Sequence, residues 1–203
     1  MTATAATALY LLWLAAAPTA GDGHVLEGAR LFRENRFSEA LVEFRVAEQL
    51  GATDAGTYAA ATLVKLDRPE EALELFEREA HTTPGADALL DYYRSLACYG
   101  ARLYLSADAL LAALGERTGP RIGEQARQIR KDIAAAVPTE PPPDSVDWYL
   151  ARARVHQANH RPDLARDFVR EARLLGARRT DQHGVAEADA LLEKLPARVS
   201  STP

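Results

Sequence analysis

The residue types that could perform chemistry are scattered along this 203-residue chain, and their spacing favours binding over catalysis. His156 and His160 are four residues apart, a spacing that can place two imidazoles on one helix face for a metal ion. His160, however, falls at a predicted turn before Pro162, and no further ligand motif surrounds the pair. We therefore interpret both histidines as surface residues, and we expect neither a metal nor a cofactor.

The other reactive side chains lack the neighbours that catalysis requires. Cys98, the single cysteine, lies in an apolar stretch without a nearby histidine or carboxylate constellation, so we expect a small buried hydrophobic residue. Glu70 and Glu71 open a predicted helix, where carboxylates interact favourably with the positive end of the helix dipole. The sequence has no phosphate-binding glycine loop, no Gly-x-Ser-x-Gly and no Cys-x-x-Cys. These observations predict a protein that is not an enzyme.

The elements that would position binding residues are indicated by a small-residue pattern that occurs four times. In each unit the steps are twelve, four and three residues. The second unit departs from the pattern only in residue type, because Glu79 stands at its last position. The series are Gly28, Ala40, Phe44 and Ala47; Ala60, Ala72, Phe76 and Glu79; Ser95, Ala107, Leu111 and Leu114; and Ala153, Ala165, Val169 and Ala172. Antiparallel helices approach closely where small side chains face each other, so the pattern predicts an all-α fold of helical hairpins.

This pattern, with Pro84 closing the second unit and Trp148-Tyr149 opening the fourth, resembles the tetratricopeptide repeat (TPR) family. The resemblance covers most of residues 24–175 and implies a TPR-like α-solenoid whose first helices line a concave groove for a partner protein or peptide. Carried over by phase, the candidate partner-binding residues are Phe32, Arg33, Lys65, Tyr92, Tyr99, Arg154 and Gln157. The alternative for Phe32 and Tyr92 is a place in the core between neighbouring repeats.

The first residues of the chain suggest export from the cytoplasm. Residues 3–20 carry no charge, and their apolar part from Ala8 to Ala17 suits the hydrophobic region of a signal peptide. We therefore expect residues 1–20 to be a cleaved signal peptide, which predicts a periplasmic or secreted protein without an integral membrane span after processing. An uncleaved membrane anchor and a buried first helix of a cytoplasmic protein are the alternatives.

Composition divides the remainder of the chain into four parts. Residues 21–137 are predicted to form three TPR-like repeats and one extra helix. Residues 138–144, with the sequence PTEPPPD, are predicted to be a Pro-rich linker because prolines favour an extended chain. Residues 145–195 are predicted to form a fourth hairpin and a C-terminal helix, and residues 196–203 a disordered tail.

Charge is unevenly distributed along the chain. The net charge of −5 gives no basic footprint for nucleic acid. From Ser145 onward ten Arg and Lys stand against eight Asp and Glu, a net charge of +2, whereas the preceding 144 residues carry −7. We interpret the basic part, which includes Arg166, as a solvated helix face, and a surface for an acidic partner is the alternative.

These features predict a non-catalytic protein–protein interaction scaffold. The 21 arginines against three lysines, together with abundant alanine, are typical of a high-GC bacterium. With the expected signal peptide and the repeat, they lead us to expect a bacterial cell-envelope complex. The alternatives are a cytoplasmic TPR regulatory domain that modulates an enzyme in trans and a membrane-tethered structural protein.

Overall fold

The computed structural model describes residues 20–79, 88–115, 119–136 and 145–196, and ten α-helices lie within these ranges. They are α1 (Asp22–Arg33), α2 (Phe37–Gln49), α3 (Ala55–Lys65), α4 (Pro69–Glu79), α5 (Ala88–Gly100), α6 (Tyr104–Leu114), α7 (Pro120–Ala136), α8 (Val146–Ala158), α9 (Pro162–Arg178) and α10 (Gln182–Lys194). These ranges contain no strand, so the predicted all-α class is confirmed for them. No described helix is both long and apolar enough to cross a bilayer. The expected signal peptide up to residue 19, Pro84, the Pro-rich linker and the tail beyond Pro196 lie outside the described residues.

One backbone geometry follows six of the described helices. After α1, Asn35 has a φ of 61°, and the backbone N–H of Arg36 donates to the carbonyl oxygen of Leu31. In this Schellman arrangement a residue in the left-handed region turns the chain while the last helical carbonyls stay hydrogen-bonded. The corresponding residues after α2, α3, α5, α8 and α9 are Gly51, Asp67, Arg102, His160 and Thr180. Each turn reverses the chain within a few residues, so consecutive helices lie side by side.

The small residues of the repeated pattern are buried where paired helices meet. Ala40, Ala72, Ala107 and Ala165 are 0% exposed, and their counterparts Gly28, Ala60, Ser95 and Ala153 are also buried. A Cβ atom added to Gly28 would lie 2.8 Å from the ring of Phe44. Small side chains therefore set the close approach of the helices, as the spacing in the sequence predicts.

The helices pack largely in chain order. We call α1–α2, α3–α4, α5–α6 and α8–α9 hairpins one to four, because the two helices of each pair pack against each other. Hairpins one to three stack through contacts of α2 with α3 and of α4 with α5, and α7 packs against α6. This stacking of adjacent helices is consistent with an α-solenoid.

Hairpin four departs from simple stacking. Its second helix, α9, packs against both α4 and α6, which are the second helices of hairpins two and three. Helix α10 then packs against α9. The C-terminal part of the chain therefore rests on the second helices of the earlier hairpins.

Candidate functional site

A cluster of aromatic rings joins the first hairpin to the third. Phe32 of α1 contacts Phe37 edge-on, with the ring centroids 5.2 Å apart, and contacts Tyr93 of α5 edge-on at 5.9 Å. Lys65, the last residue of α3, places its Nζ 5.6 Å from the centroid of the Tyr93 ring. An ammonium group over an aromatic face is attracted by the negative charge of that face. Residues of hairpins one, two and three therefore meet at this aromatic cluster, which we define as Phe32, Phe37 and Tyr93.

Two exposed cations adjoin the aromatic cluster, Arg33 along the chain and Lys65 through its contact with Tyr93. Arg33 follows Phe32 directly, and both Arg33 and Lys65 are exposed. Neither forms an ion pair with a carboxylate of the described residues. Arg30, one turn earlier on α1, is instead held by carboxylate oxygens of Glu27 and Glu34 at 2.5 Å each. Arg33 donates through Nε to the carbonyl oxygen of Ala29 at 3.3 Å, and Lys65 lies over Tyr93, so neither charge is neutralised by a direct ion pair with a described carboxylate.

Two of the predicted groove residues are held by neighbouring helices. Tyr92 is 7% exposed, and its hydroxyl donates to Oε1 of Gln125 on α7 at 3.3 Å. Tyr99 is half-buried, and its ring centroid lies 5.7 Å from that of Tyr104 on α6. Burial raises the pKa of both Tyr92 and Tyr93. Tyr93, which the sequence pattern does not single out, is the tyrosine of α5 that contacts Phe32.

The remaining two predicted residues lie on hairpin four. Arg154 is exposed and forms an ion pair with Glu187 of α10, and Gln157 is half-buried further along α8. Helix α8 packs mainly against α9 and α10. The structure therefore brings Phe32 and Lys65 together, with Arg33 beside them, and places Arg154 and Gln157 in a separate region.

A group of charged residues lies where hairpin four meets α4. Glu70 accepts a hydrogen bond from Nη2 of Arg152 and lies 3.5 Å from Nη1 of Arg161. Arg161 also donates through Nε to Glu74, one turn further along α4. A cleft of about 800 Å³ opens at this place. We call these four residues, together with His156, the charged junction.

The structure corrects the expectation that His156 is a surface residue. Its side chain is 3% exposed and stacks on Phe168, with the ring centroids 5.0 Å apart. Nε2 lies 3.6 Å from Oε1 of Glu70, and neither ring nitrogen has a hydrogen-bond partner among the described residues. Burial lowers the pKa of His156 from its ordinary value of 6.5; the Glu70 carboxylate opposes this effect and the Arg152 guanidinium adds to it. A neutral imidazole is therefore favoured at neutral pH.

The uneven distribution of charge along the sequence is the feature that points to the charged junction. Helix α4 carries five glutamates, and the part of the chain after Ser145 is net positive, so the two parts of the protein are complementary in charge.

A second correction concerns Arg166, which is 6% exposed instead of solvated. It donates to Asp163 at 2.8 Å and to the carbonyl oxygen of Pro196.

Comparison with known proteins gives no relative for this chain. No protein-family model matches it, and neither a curated protein nor a solved structure matches it.

No group of three or more His, Cys, Asp and Glu suited to a metal ion occurs in the described ranges. Cys98 is 5% exposed, and burial raises the pKa of its thiol well above the ordinary value of 9.0. The aromatic cluster offers apolar faces, with the exposed Lys65 over Tyr93 and the exposed Arg33 next to Phe32 in the chain.

Proposed function

We propose that this protein is a non-catalytic scaffold of the TPR type, which binds a partner protein or peptide along the first helices of its hairpins. The observation that carries the proposal is the aromatic cluster, with Arg33 and Lys65 beside it, at the meeting point of three hairpins. Aromatic residues and arginine contribute much of the binding energy at protein interfaces. Stacked hairpins hold such residues on a rigid surface, which lowers the entropic cost of binding.

The TPR phase that we propose gives the candidate residues their positions. Phe32, Arg33 and Lys65 fall at groove positions of the first two units, counted from the small residues Gly28 and Ala60. These three residues would contact the partner directly, with Tyr93 forming the floor between them. Tyr92 and Tyr99 would support the surface from α5, and Arg154 and Gln157 would form a separate patch on hairpin four.

The uncharged residues 3–20 support a location in the bacterial cell envelope. The mass of the protein, measured in each subcellular fraction of a bacterial host, tests this part of the proposal. A mass lacking about the first 20 residues, in the periplasm or the medium, supports export. The full-length mass in the cytosol favours a regulatory domain, and the full-length mass in the membrane fraction favours a tethered structural protein.

Position-specific photo-crosslinking tests the groove. A photoreactive phenylalanine analogue replaces Arg33 or Lys65 in one pair of variants. In a matched pair it replaces Arg121 or Arg178, which are exposed cations on α7 and α9. The proposal predicts that the same partner adduct forms at Arg33 and Lys65 and does not form at the two control positions.

Two results would contradict the proposal in different ways. Equal adducts at all four positions, or adducts at Arg121 or Arg178 alone, would place the binding surface away from the first helices. The absence of any adduct at all four positions, with the protein folded and in its own compartment, would contradict partner binding itself.

A further inference from the structure

The charged junction fastens α8 and the turn before α9 to α4, and a buried histidine lies at its centre. We propose that the junction is a proton-operated latch, in which protonation of His156 detaches α8 and this turn from α4 and widens the cleft between them. The inference is independent of the groove on the first helices, because the junction lies between hairpins two and four.

The charged groups that surround His156 come from three elements. Glu70 and Glu74 lie on α4, Arg152 lies on α8 itself, and Arg161 lies in the turn before α9. The ring of Phe168 on α9 stacks on the imidazole. Glu70 is the carboxylate nearest to the imidazole, and it already serves both arginines. A protonated His156 would therefore compete with Arg152 and Arg161 for the Glu70 carboxylate, although Arg161 also pairs with Glu74.

The hydrogen-bonding environment of His156 also disfavours a charged imidazole. An imidazolium has two N–H donors to satisfy, whereas the neutral ring has one donor and one acceptor. Neither ring nitrogen has a hydrogen-bond partner among the described residues, and Nε of Arg152 is buried without one as well. A buried charge without such partners is strongly destabilising.

These effects give the latch a defined response to pH. The pKa of His156 is lower in the folded protein than its ordinary value of 6.5, so the detached state binds the proton more tightly. The free energy with which neutral His156 stabilises the closed junction is present in full at a pH above 6.5, its ordinary pKa. This stabilisation is lost as the pH falls through the pKa of the folded protein, and acid therefore opens the junction.

Trp148 provides a local reporter of this opening. It lies on α8 and lines the cleft, with its ring centroid 6.1 Å from that of Phe168. The other tryptophan of the chain is Trp13, so the full-length Trp13→Phe variant carries a single tryptophan. Acrylamide quenching of Trp148 fluorescence is measured between about pH 8 and pH 5, with far-UV circular dichroism on the same samples. Quenching should increase as the pH falls, with a midpoint below 6.5, while helicity stays constant.

Variants of the junction test whether His156 causes the pH-dependent change in quenching. In the same Trp13→Phe background, His156→Gln should abolish the transition, because glutamine does not take up a proton in this range. His24→Gln is the matched control, since His24 also contacts a carboxylate, Glu43 at 2.7 Å, but lies on hairpin one. It should leave the transition unchanged.

Two further variants keep the test valid if His156→Gln fails to fold. Glu70→Gln should move the midpoint to lower pH, because it removes the carboxylate that favours the imidazolium. Arg161→Gln should move the midpoint to higher pH, because it removes a competing cation. The proposal is overturned if quenching stays constant over this pH range, if the transition persists in His156→Gln, or if the two midpoints move in the opposite directions. A loss of helicity over the same pH range would also overturn it, since that result means global unfolding.

Discussion

Glu171 of α9 caps the first turn of α6 at Ser106. Its Oε2 accepts hydrogen bonds from the backbone N–H of Ser106 at 3.0 Å and from the Ser106 hydroxyl at 2.6 Å, and its Oε1 accepts from the N–H of Leu105 at 2.6 Å. The first N–H groups of a helix lack partners within the helix, so a carboxylate there satisfies them. Glu171 is 1% exposed, and burial raises the pKa of its carboxyl while these hydrogen bonds oppose the rise. The contact ties hairpin four to hairpin three.

Replacing this cap should destabilise the protein. In Glu171→Gln an amide NH₂ replaces one carboxylate oxygen, so it faces donors that it cannot satisfy. We expect the free energy of unfolding to fall by about 1–3 kcal/mol, measured by urea denaturation. Glu193→Gln, at an exposed position of α10, is the control and should change stability little. Equal effects of the two variants would contradict a capping role for Glu171.

Two glycines of α1 should respond in opposite ways to alanine. A Cβ at Gly28 would lie 2.8 Å from the Phe44 ring, so Gly28→Ala should lower the free energy of unfolding by about 1–3 kcal/mol. A Cβ at Gly23 would meet no atom within 4 Å, so Gly23→Ala should raise it by about 0.5–1 kcal/mol through helix propensity. Urea denaturation of both variants measures the difference. A neutral Gly28→Ala variant would show that α1 does not pack on α2 at this spacing.

The turn between α9 and α10 contains a residue in an unfavourable backbone conformation. Thr180 is β-branched and has a φ of 57°, a left-handed conformation that costs an L-residue about 1–2 kcal/mol. Thr180→Gly should therefore raise the free energy of unfolding by about 1 kcal/mol. The reverse exchange, Gly51→Thr in the turn after α2 where φ is 77°, should lower it. If thermal denaturation shows Thr180→Gly to be the less stable protein, the turn does not have this geometry.

Cys98 should be unreactive in the folded protein. Burial raises the pKa of its thiol, and the thiolate is the form that attacks disulfide reagents. We expect slow labelling by Ellman's reagent at about pH 8 in the native state and complete labelling in denaturant. Rapid labelling of the native protein would contradict the burial of Cys98 in α5.

The hairpins could be predicted from the sequence because their cause is local. The small residues that let α1 approach α2, such as Gly28 and Ala40, recur at a spacing that the chain itself displays. The same phase pointed to Phe32 and Lys65, and the structure brings both of them to Tyr93. It pointed to Tyr92 on α5, whereas Tyr93 makes the contact with Phe32. The hydroxyl of Tyr92 instead donates to Gln125 of α7, a helix that lies outside the repeat.

The charged junction could not be predicted from the repeat because its partners are far apart in sequence. Arg152 and Glu70 are 82 residues apart, and Arg161 and Glu74 are 87 residues apart. Periodicity within one helix does not show which distant helix will cover it. The sequence therefore predicts a surface position for His156, whereas in the structure α4 and Phe168 of α9 enclose it.

Hydrogen–deuterium exchange of the protein, with and without the partner identified through photo-crosslinking at Lys65, tests partner binding along the first helices most directly. Slower exchange is predicted in α1, α3 and α5, around Phe32, Lys65 and Tyr93, while exchange in α10 stays unchanged. Protection confined to α9 and α10, with none in α1, α3 and α5, would contradict binding at the aromatic cluster.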